Sequence, residues 1–260
     1  MSEFFQEFIE YVKMGNLQKV IEYVESNHIN ASTEDNRAIM IAALNGHLEV
    51  VKYLLTSSNV DASARNNQAI IIAAYNGHLE VVKYLSTLPN VNASARDNDA
   101  IITAASNGHL EVVKYLSTLP GVDVTAQNNI AIIKAAHNGH LAVVEYLSTL
   151  PGVDPAAQDN LAIYFAASRN YSSIVAMLLY YEPKVAASLS STDYNQYHQL
   201  LLSELRPIAY KIAVSLTELP TPLIIEVIEQ SVKFAIYVPY HIKWNMVVTI
   251  KHSNYIYNKN

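Results

Sequence analysis

The sequence predicts an all-α helical solenoid followed by a small C-terminal helical domain. Three observations predict it. A block of 31 residues recurs, with Asn-Gly-His-Leu at 45–48, 76–79, 107–110 and 138–141. Each block carries two short runs of apolar residues at helical spacing, separated by glycine. The recurrence ends near Pro183, and later apolar runs follow no such period. A fixed period of this size marks stacked units that share one core. With 260 residues, 51% apolar and 15% charged, the chain is too apolar for a disordered one.

Each block reads as a helical hairpin. The first helix runs from about Ala38 to Asn45, with Ile39, Ala42 and Ala43 on one face. Gly46 stops it, and Gly15, Gly77, Gly108 and Gly139 fill the same slot. One period further on the slot holds Asn170, the next residue type to tolerate a left-handed backbone, so a sixth unit is counted. The second helix runs from about Leu48 to Thr56 and is expected to bury Leu48, Val51, Leu54 and Leu55, with Glu49 and Lys52 in water. Helices this short do not stand alone. The Ala-Ala pairs at 42–43, 73–74, 104–105, 135–136 and 166–167 permit close approach between neighbours. Pro89, Pro120 and Pro151 end the second helices that precede them. A weaker first copy surrounds Met14-Gly-Asn-Leu17, and Ile174, Val175, Leu178 and Leu179 continue the last.

Asn-Gly-His-Leu-Glu-Val-Val-Lys-Tyr-Leu after Ala-Ala resembles the ankyrin repeat over about residues 4–188. The domain reading is an ankyrin-like array over 1–188, its outer two units degenerate, and a helical domain or cap over 189–260. The ankyrin Thr-Pro-Leu-His opening is missing. An invariant asparagine (Asn36, Asn67, Asn98, Asn129, Asn160) stands near that position and is read as an N-cap in its place. The hydrogen bonds of the family's Thr and His are then absent, which predicts a less rigid hairpin.

Slots that repeat belong to the fold; slots that vary are candidates for recognition. One slot reads Glu34, Arg65, Arg96, Gln127, Gln158. Another reads Arg37, Gln68, Asp99, Ile130, Leu161. Two more on the first helix read Ile41, Ile72, Thr103, Lys134, Phe165 and Leu44, Tyr75, Ser106, His137, Ser168. The ankyrin resemblance implies that turn tips and first helices form a concave, partner-binding side. Arg65, Arg96, Tyr75, Lys134, His137 and Phe165 are therefore the candidate contacts, with drift on an exposed face as the alternative. Lys52, Lys83 and Lys114 beside Glu49, Glu80 and Glu111 read as a solvated mixed-charge face.

Other chemistries fail on composition or spacing. There is no cysteine, hence no disulfide, thiolate metal site or Cys nucleophile. His47, His78, His109 and His140 belong to units stacked about 8–10 Å apart, too far to share a metal at about 2 Å. No nucleophile elbow, zinc-protease motif or phosphate-cradling glycine loop occurs. Residues up to 182 carry 10 Lys+Arg against 18 Asp+Glu, and the remainder 7 against 5, a poor match to nucleic acid. No signal peptide, transit peptide or membrane span is expected. The expectation is a non-enzymatic, cofactor-free, monomeric protein of the cytoplasm (the host cytoplasm for a secreted effector) that binds a protein partner. An enzyme hidden in the tail is the remote alternative.

The tail opens with a break from Tyr180 to about Tyr194, containing Pro183 and a Ser/Thr cluster. A helix is expected over Asn195–Leu205, another after Pro207, and an amphipathic one after Leu219-Pro-Thr-Pro222. Leu219, Pro220, Leu223, Ile224, Ile228 and then Lys243-Trp244 follow an order similar to an F-box, although its middle Leu-Asp-Pro is missing. That similarity implies docking to a Skp-type ubiquitin-ligase subunit, with the repeats holding a substrate. A plain helical cap over the last hydrophobic face is the other reading.

Overall fold

The computed structural model describes residues 3–26, 29–197 and 199–200, and these form helices without strands. The chain divides into two compact parts, Met1–Arg169 and Asn170–Asn260.

The first part holds five helical hairpins and one further helix. They are α1 (Glu3–Met14) with α2 (Leu17–Ser26), α3 (Thr33–Leu44) with α4 (Leu48–Leu54), and α5 (Ala64–Tyr75) with α6 (Leu79–Ser86). There follow α7 (Ala95–Ser106) with α8 (Leu110–Leu116), α9 (Ala126–His137) with α10 (Leu141–Ser148), and α11 (Ala157–Ser168). First helices pack side by side in the order α1, α3, α5, α7, α9, α11, and second helices α2 to α10 form a parallel row. The core lies between the rows. Ile39, Ile70, Ile101, Ile132 and Ile163 are fully buried, as are the alanine pairs from 42–43 to 135–136. On the second helices the buried set is Val50, Val51 and Leu54 and their counterparts, while Leu48 and Leu55 are only half-buried. The stripe therefore lies one residue away from the expected one, because Val50 faces inward as well.

The glycine slot behaves as expected but does more. Gly77 has φ +77, and a Cβ there would lie 2.5 Å from Nδ1 of His109 in the next repeat. Glycine is needed both for the left-handed turn and for the imidazole laid over it. The same ring donates through Nε2 to the Tyr75 carbonyl at 2.9 Å. The acceptor has no proton, so Nε2 carries the hydrogen. His47 to Lys13, His78 to Leu44 and His140 to Ser106 repeat the bond at 2.8, 2.9 and 3.0 Å. Each histidine thus closes the carbonyl end of the helix one repeat earlier.

The invariant asparagine corrects the sequence reading. In the opening turn of α3, α5, α7, α9 and α11 three residues are left-handed, setting a kink inside each element: Glu34-Asp35-Asn36, Arg65-Asn66-Asn67, Arg96-Asp97-Asn98, Gln127-Asn128-Asn129 and Gln158-Asp159-Asn160, with φ from 52 to 68. Such residues cost roughly 1–2 kcal/mol each unless they are Gly, Asn or Asp. That explains why the second position is always Asp or Asn and the third always Asn. The cap position is held by Ser32, Ser63, Ser94, Thr125 or Ala156, without a side-chain cap bond, and the asparagine lies four residues further on, inside the turn. Its Oδ1 instead accepts the backbone N–H of a residue 25 further on: Asp61 from Asn36, Asn92 from Asn67, Asp123 from Asn98 and Asp154 from Asn129, at 2.7, 2.7, 2.8 and 2.9 Å. The missing Thr and His bonds are thus replaced by others that cross between repeats.

A further link joins the second helices. Ser86 Oγ donates to the Lys83 carbonyl at 2.8 Å, so the 2.7 Å contact with Tyr115 must be donated by the tyrosine. Ser117 and Tyr146 repeat this pair at 2.7 Å. Ser148 is the next serine in the series, but Met177 stands one period after Tyr146 in the sequence. Ser148 Oγ is buried and has no hydrogen-bond partner among the described residues. The outer lysines pair with Glu49, Glu80 and Glu111 at 2.7, 2.8 and 2.8 Å, all well exposed, so this face is the solvated mixed-charge surface expected.

In the second part, Asn170 has φ +60, the left-handed state inferred for it. Next come α12 (Ser172–Tyr181), in which Ile174, Val175, Leu178 and Leu179 are buried, and α13 (Pro183–Ser188). The stretch read as a break is therefore largely helical: Glu182 is extended, Pro183 begins α13, and a further helical stretch covers 191–197. Proline ends one helix and suits the first turn of the next. The helices expected beyond residue 200, with Leu219, Pro220, Leu223, Ile224, Ile228 and Trp244, lie outside the described residues. Among the described residues no helix is long and apolar enough to cross a membrane.

Two serines in one slot should respond in opposite ways. Ser117→Ala strips Tyr146 of its acceptor and is expected to cost about 1 kcal/mol. Ser148→Ala removes an unpaired buried hydroxyl and is expected to be neutral or to stabilise by up to about 1 kcal/mol. Urea denaturation of both variants compares them.

Candidate partner-binding surface

The varying slots lie on the left-handed tips and along the first helices. At the tips, position one reaches back one repeat. Arg65 Nη2 donates to the Glu34 carbonyl at 3.3 Å and meets Asp35 Oδ2 at 3.4 Å. Arg96 reaches the Arg65 carbonyl at 3.5 Å, Gln127 the Asp97 carbonyl at 3.3 Å, and Gln158 the Gln127 and Asn128 carbonyls at 3.2 and 2.9 Å. Arg65 and Arg96, picked from the sequence as partner contacts, thus also tie one tip to the next. The Arg65–Asp35 pair leaves the two side chains 51% and 78% exposed, so it holds the tip loosely. This ladder was missed from sequence, although a sign of it was present. All four back-reaching residues are long donors, and Glu34, which opens the series, is an acceptor.

On the first helices the slots are at least partly open. Tyr75 is 52% exposed at the end of α5, and Leu44 precedes it in the same slot of α3. Lys134 is exposed on α9, where no hydrogen bond or ion pair engages its ammonium among the described residues. Asp99 on α7 is half-buried, and its carboxylate likewise has no partner among the described residues. Arg37, by contrast, is paired with Glu34 at 2.8 Å.

At the far end of this face three rings meet. Phe165 stands edge-on to His137 with centroids 4.9 Å apart, and Tyr164 packs against Phe165 at 5.6 Å. The structure therefore joins two of the sequence candidates, His137 and Phe165, beside Lys134 of the same helix. It leaves Tyr75 two repeats earlier. Tyr164 is a member that sequence reasoning missed. Its slot holds Met40, Ile71, Ile102 and Ile133, all buried, whereas Tyr164 is 54% exposed. Four aliphatic residues followed by a tyrosine was the available signal.

The family model for ankyrin repeats matches the chain in three overlapping places, residues 8–99, 39–128 and 101–193, well over half of its length. The chain belongs to the ankyrin repeat family. Comparison with curated proteins gave no match. Membership makes this ankyrin array a protein–protein interaction module and implies protein partners. Within it, the histidine, asparagine and Ser–Tyr bonds occupy the conserved slots, and the first-helix face is left free to differ from repeat to repeat.

The His137–Phe165 ring pair predicts a coupling of about 0.5–1.5 kcal/mol in a double-alanine cycle. Tyr75, with no ring partner among the described residues, should tolerate Tyr75→Ala within about 0.5 kcal/mol. Denaturant titration of the four variants and the parent checks both.

Proposed function

We propose that this protein recognises a protein partner through the first-helix face and tips of its ankyrin array, without catalysing a reaction. The observation that carries the reading is that exposed Tyr75 and the His137–Phe165 ring pair lie in slots that vary along the first helices, with exposed Tyr164 packed against Phe165. Rigid aromatic side chains lose little entropy on binding and commonly anchor interfaces. Arg65, Arg96 and Lys134 supply charge around these anchors. The cross-repeat bonds hold the face in place before a partner arrives, which keeps the ordering cost low.

A second reading, that of a ubiquitin-ligase adaptor, rests only on the sequence order of Leu219-Pro220, Leu223, Ile224, Ile228 and Trp244. The repeats would then hold the substrate, and the tail would dock a Skp-type subunit.

Immobilised protein carrying Tyr75→Ala with Phe165→Ala is expected to lose at least tenfold of the partner captured by the parent from its native cell, with an unchanged helical circular dichroism spectrum. Undiminished capture would remove this face from the account. For the adaptor reading, the full chain should co-elute with a Skp-type subunit, and Leu223→Asp with Ile228→Asp should abolish it. No complex with the parent chain sets that reading aside.

A further inference from the structure

The first-helix face has an order along the array that goes beyond a scatter of anchors. On α5 it presents Ile72 and Tyr75, both apolar and partly or largely exposed. On α7 it presents the unpaired Asp99 with Thr103 and Ser106, and the Thr103 hydroxyl is turned back onto the Asp99 carbonyl at 2.7 Å. On α9 it presents the unpaired Lys134, and on α11 Phe165 with Tyr164. Two apolar ends thus enclose a negative and a positive charge on successive helices, neither of them paired among the described residues. Asp99 and Lys134 sit in adjacent repeats yet form no ion pair with each other, and neither charged group has another partner among the described residues.

The spacing selects the shape of what fits. Adjacent packed helices lie roughly 8–10 Å apart, so α5 to α11 spans about 24–30 Å. An α-helix advances about 1.5 Å per residue, and seven residues return to nearly the same face after about 10.5 Å. A β-strand returns to the same face about every 6.7 Å or 13.4 Å, which falls short of or overshoots each step. Of helix and strand, the helix comes closer to placing one side chain opposite each repeat, and its repeating face suits a row of apolar, charged and apolar contacts.

Building on the protein-recognition reading above, we propose that this face takes an amphipathic α-helix of the partner. The helix lies across α5, α7, α9 and α11 and offers, at about seven-residue intervals, an apolar, a basic, an acidic and an apolar side chain. The basic residue meets Asp99 and the acidic one Lys134. The apolar ends meet Ile72 with Tyr75 and Phe165 with Tyr164.

The test uses the full chain and fluorescein-labelled helical peptides with a neutral Ala/Gln background. Leu stands at positions 1 and 22, and positions 8 and 15 hold Lys/Glu, Lys/Lys or Glu/Glu. Same-charge controls are needed because a Lys/Glu helix can reverse its direction and still match. Fluorescence anisotropy is expected to show the Lys/Glu peptide binding at least tenfold more tightly than either control. Asp99→Lys should shift the preference to Glu/Glu, and Lys134→Glu to Lys/Lys. If a charge reversal perturbs folding by circular dichroism, Asp99→Asn and Lys134→Gln should each flatten the ranking instead. No binding by the parent, equal binding of all three peptides, or a ranking that ignores the substitutions overturns the proposal. If the peptides fail while Tyr75→Ala with Phe165→Ala still abolishes partner capture, the helix assignment falls and the recognition face stands. If capture ignores that double variant, both fall.

Discussion

No repeat in this chain completes its own hydrogen bonds, and the remaining features depend on that. A helix ends with carbonyls that lack donors, and a tight turn exposes more of them. Here the donors come from the following repeat. His109 serves the Tyr75 carbonyl, Gln158 serves two tip carbonyls behind it, and Tyr146 serves Ser117. The asparagines work the other way, with Asn98 offering an acceptor to the backbone N–H of Asp123. Burial of the isoleucine and alanine layer supplies the bulk attraction between hairpins. These polar links set the register, because each has a partner in only one alignment.

The left-handed tips show what such links permit. Three consecutive residues in that conformation are costly, and strained backbone persists only where its surroundings over-determine it. The tips that begin at Arg65, Arg96 and Gln127 have both the asparagine bond and a back-reaching Arg or Gln. With the backbone fixed this way, the first-helix slots are released from structural duty. They can carry an acid on α7, a lysine on α9 and a ring on α11 without disturbing the stack. The outer face contributes solubility through its exposed Glu–Lys pairs and little stability.

Much of the fold was legible because repetition performs its own comparison. The glycine stops, the left-handed backbone of Asn170, the buried isoleucines and the mixed-charge outer face all follow from aligned slots. What escaped were interactions whose partner lies in another repeat. The invariant asparagine was read as a cap because capping is a rule about one helix, and its true partner is 25 residues away. The inward turn of Val50 was missed because seven-residue helices are too short for periodicity to fix the phase. The stretch after Tyr180 looked like a break because Pro183 ends one helix, yet the same residue begins the next. Of the recognition surface, Tyr75, Lys134, His137 and Phe165 could be named from variation alone. Tyr164 showed only as a tyrosine closing a row of aliphatic residues, and the structural duty of Arg65 and Arg96 depends on tip geometry that linear spacing does not carry.

The histidine laid over the glycine of the repeat before it has an evolutionary corollary. Gain or loss of a whole 31-residue block puts an equivalent imidazole back over an equivalent glycine, and the other links re-form with it. The array can therefore lengthen or shorten by complete modules through duplication or recombination, needing no new chemistry at the junction. An indel of any other size within the block would leave rings, carbonyls and amides out of phase, which gives a mechanical reason for the constant period in this gene product.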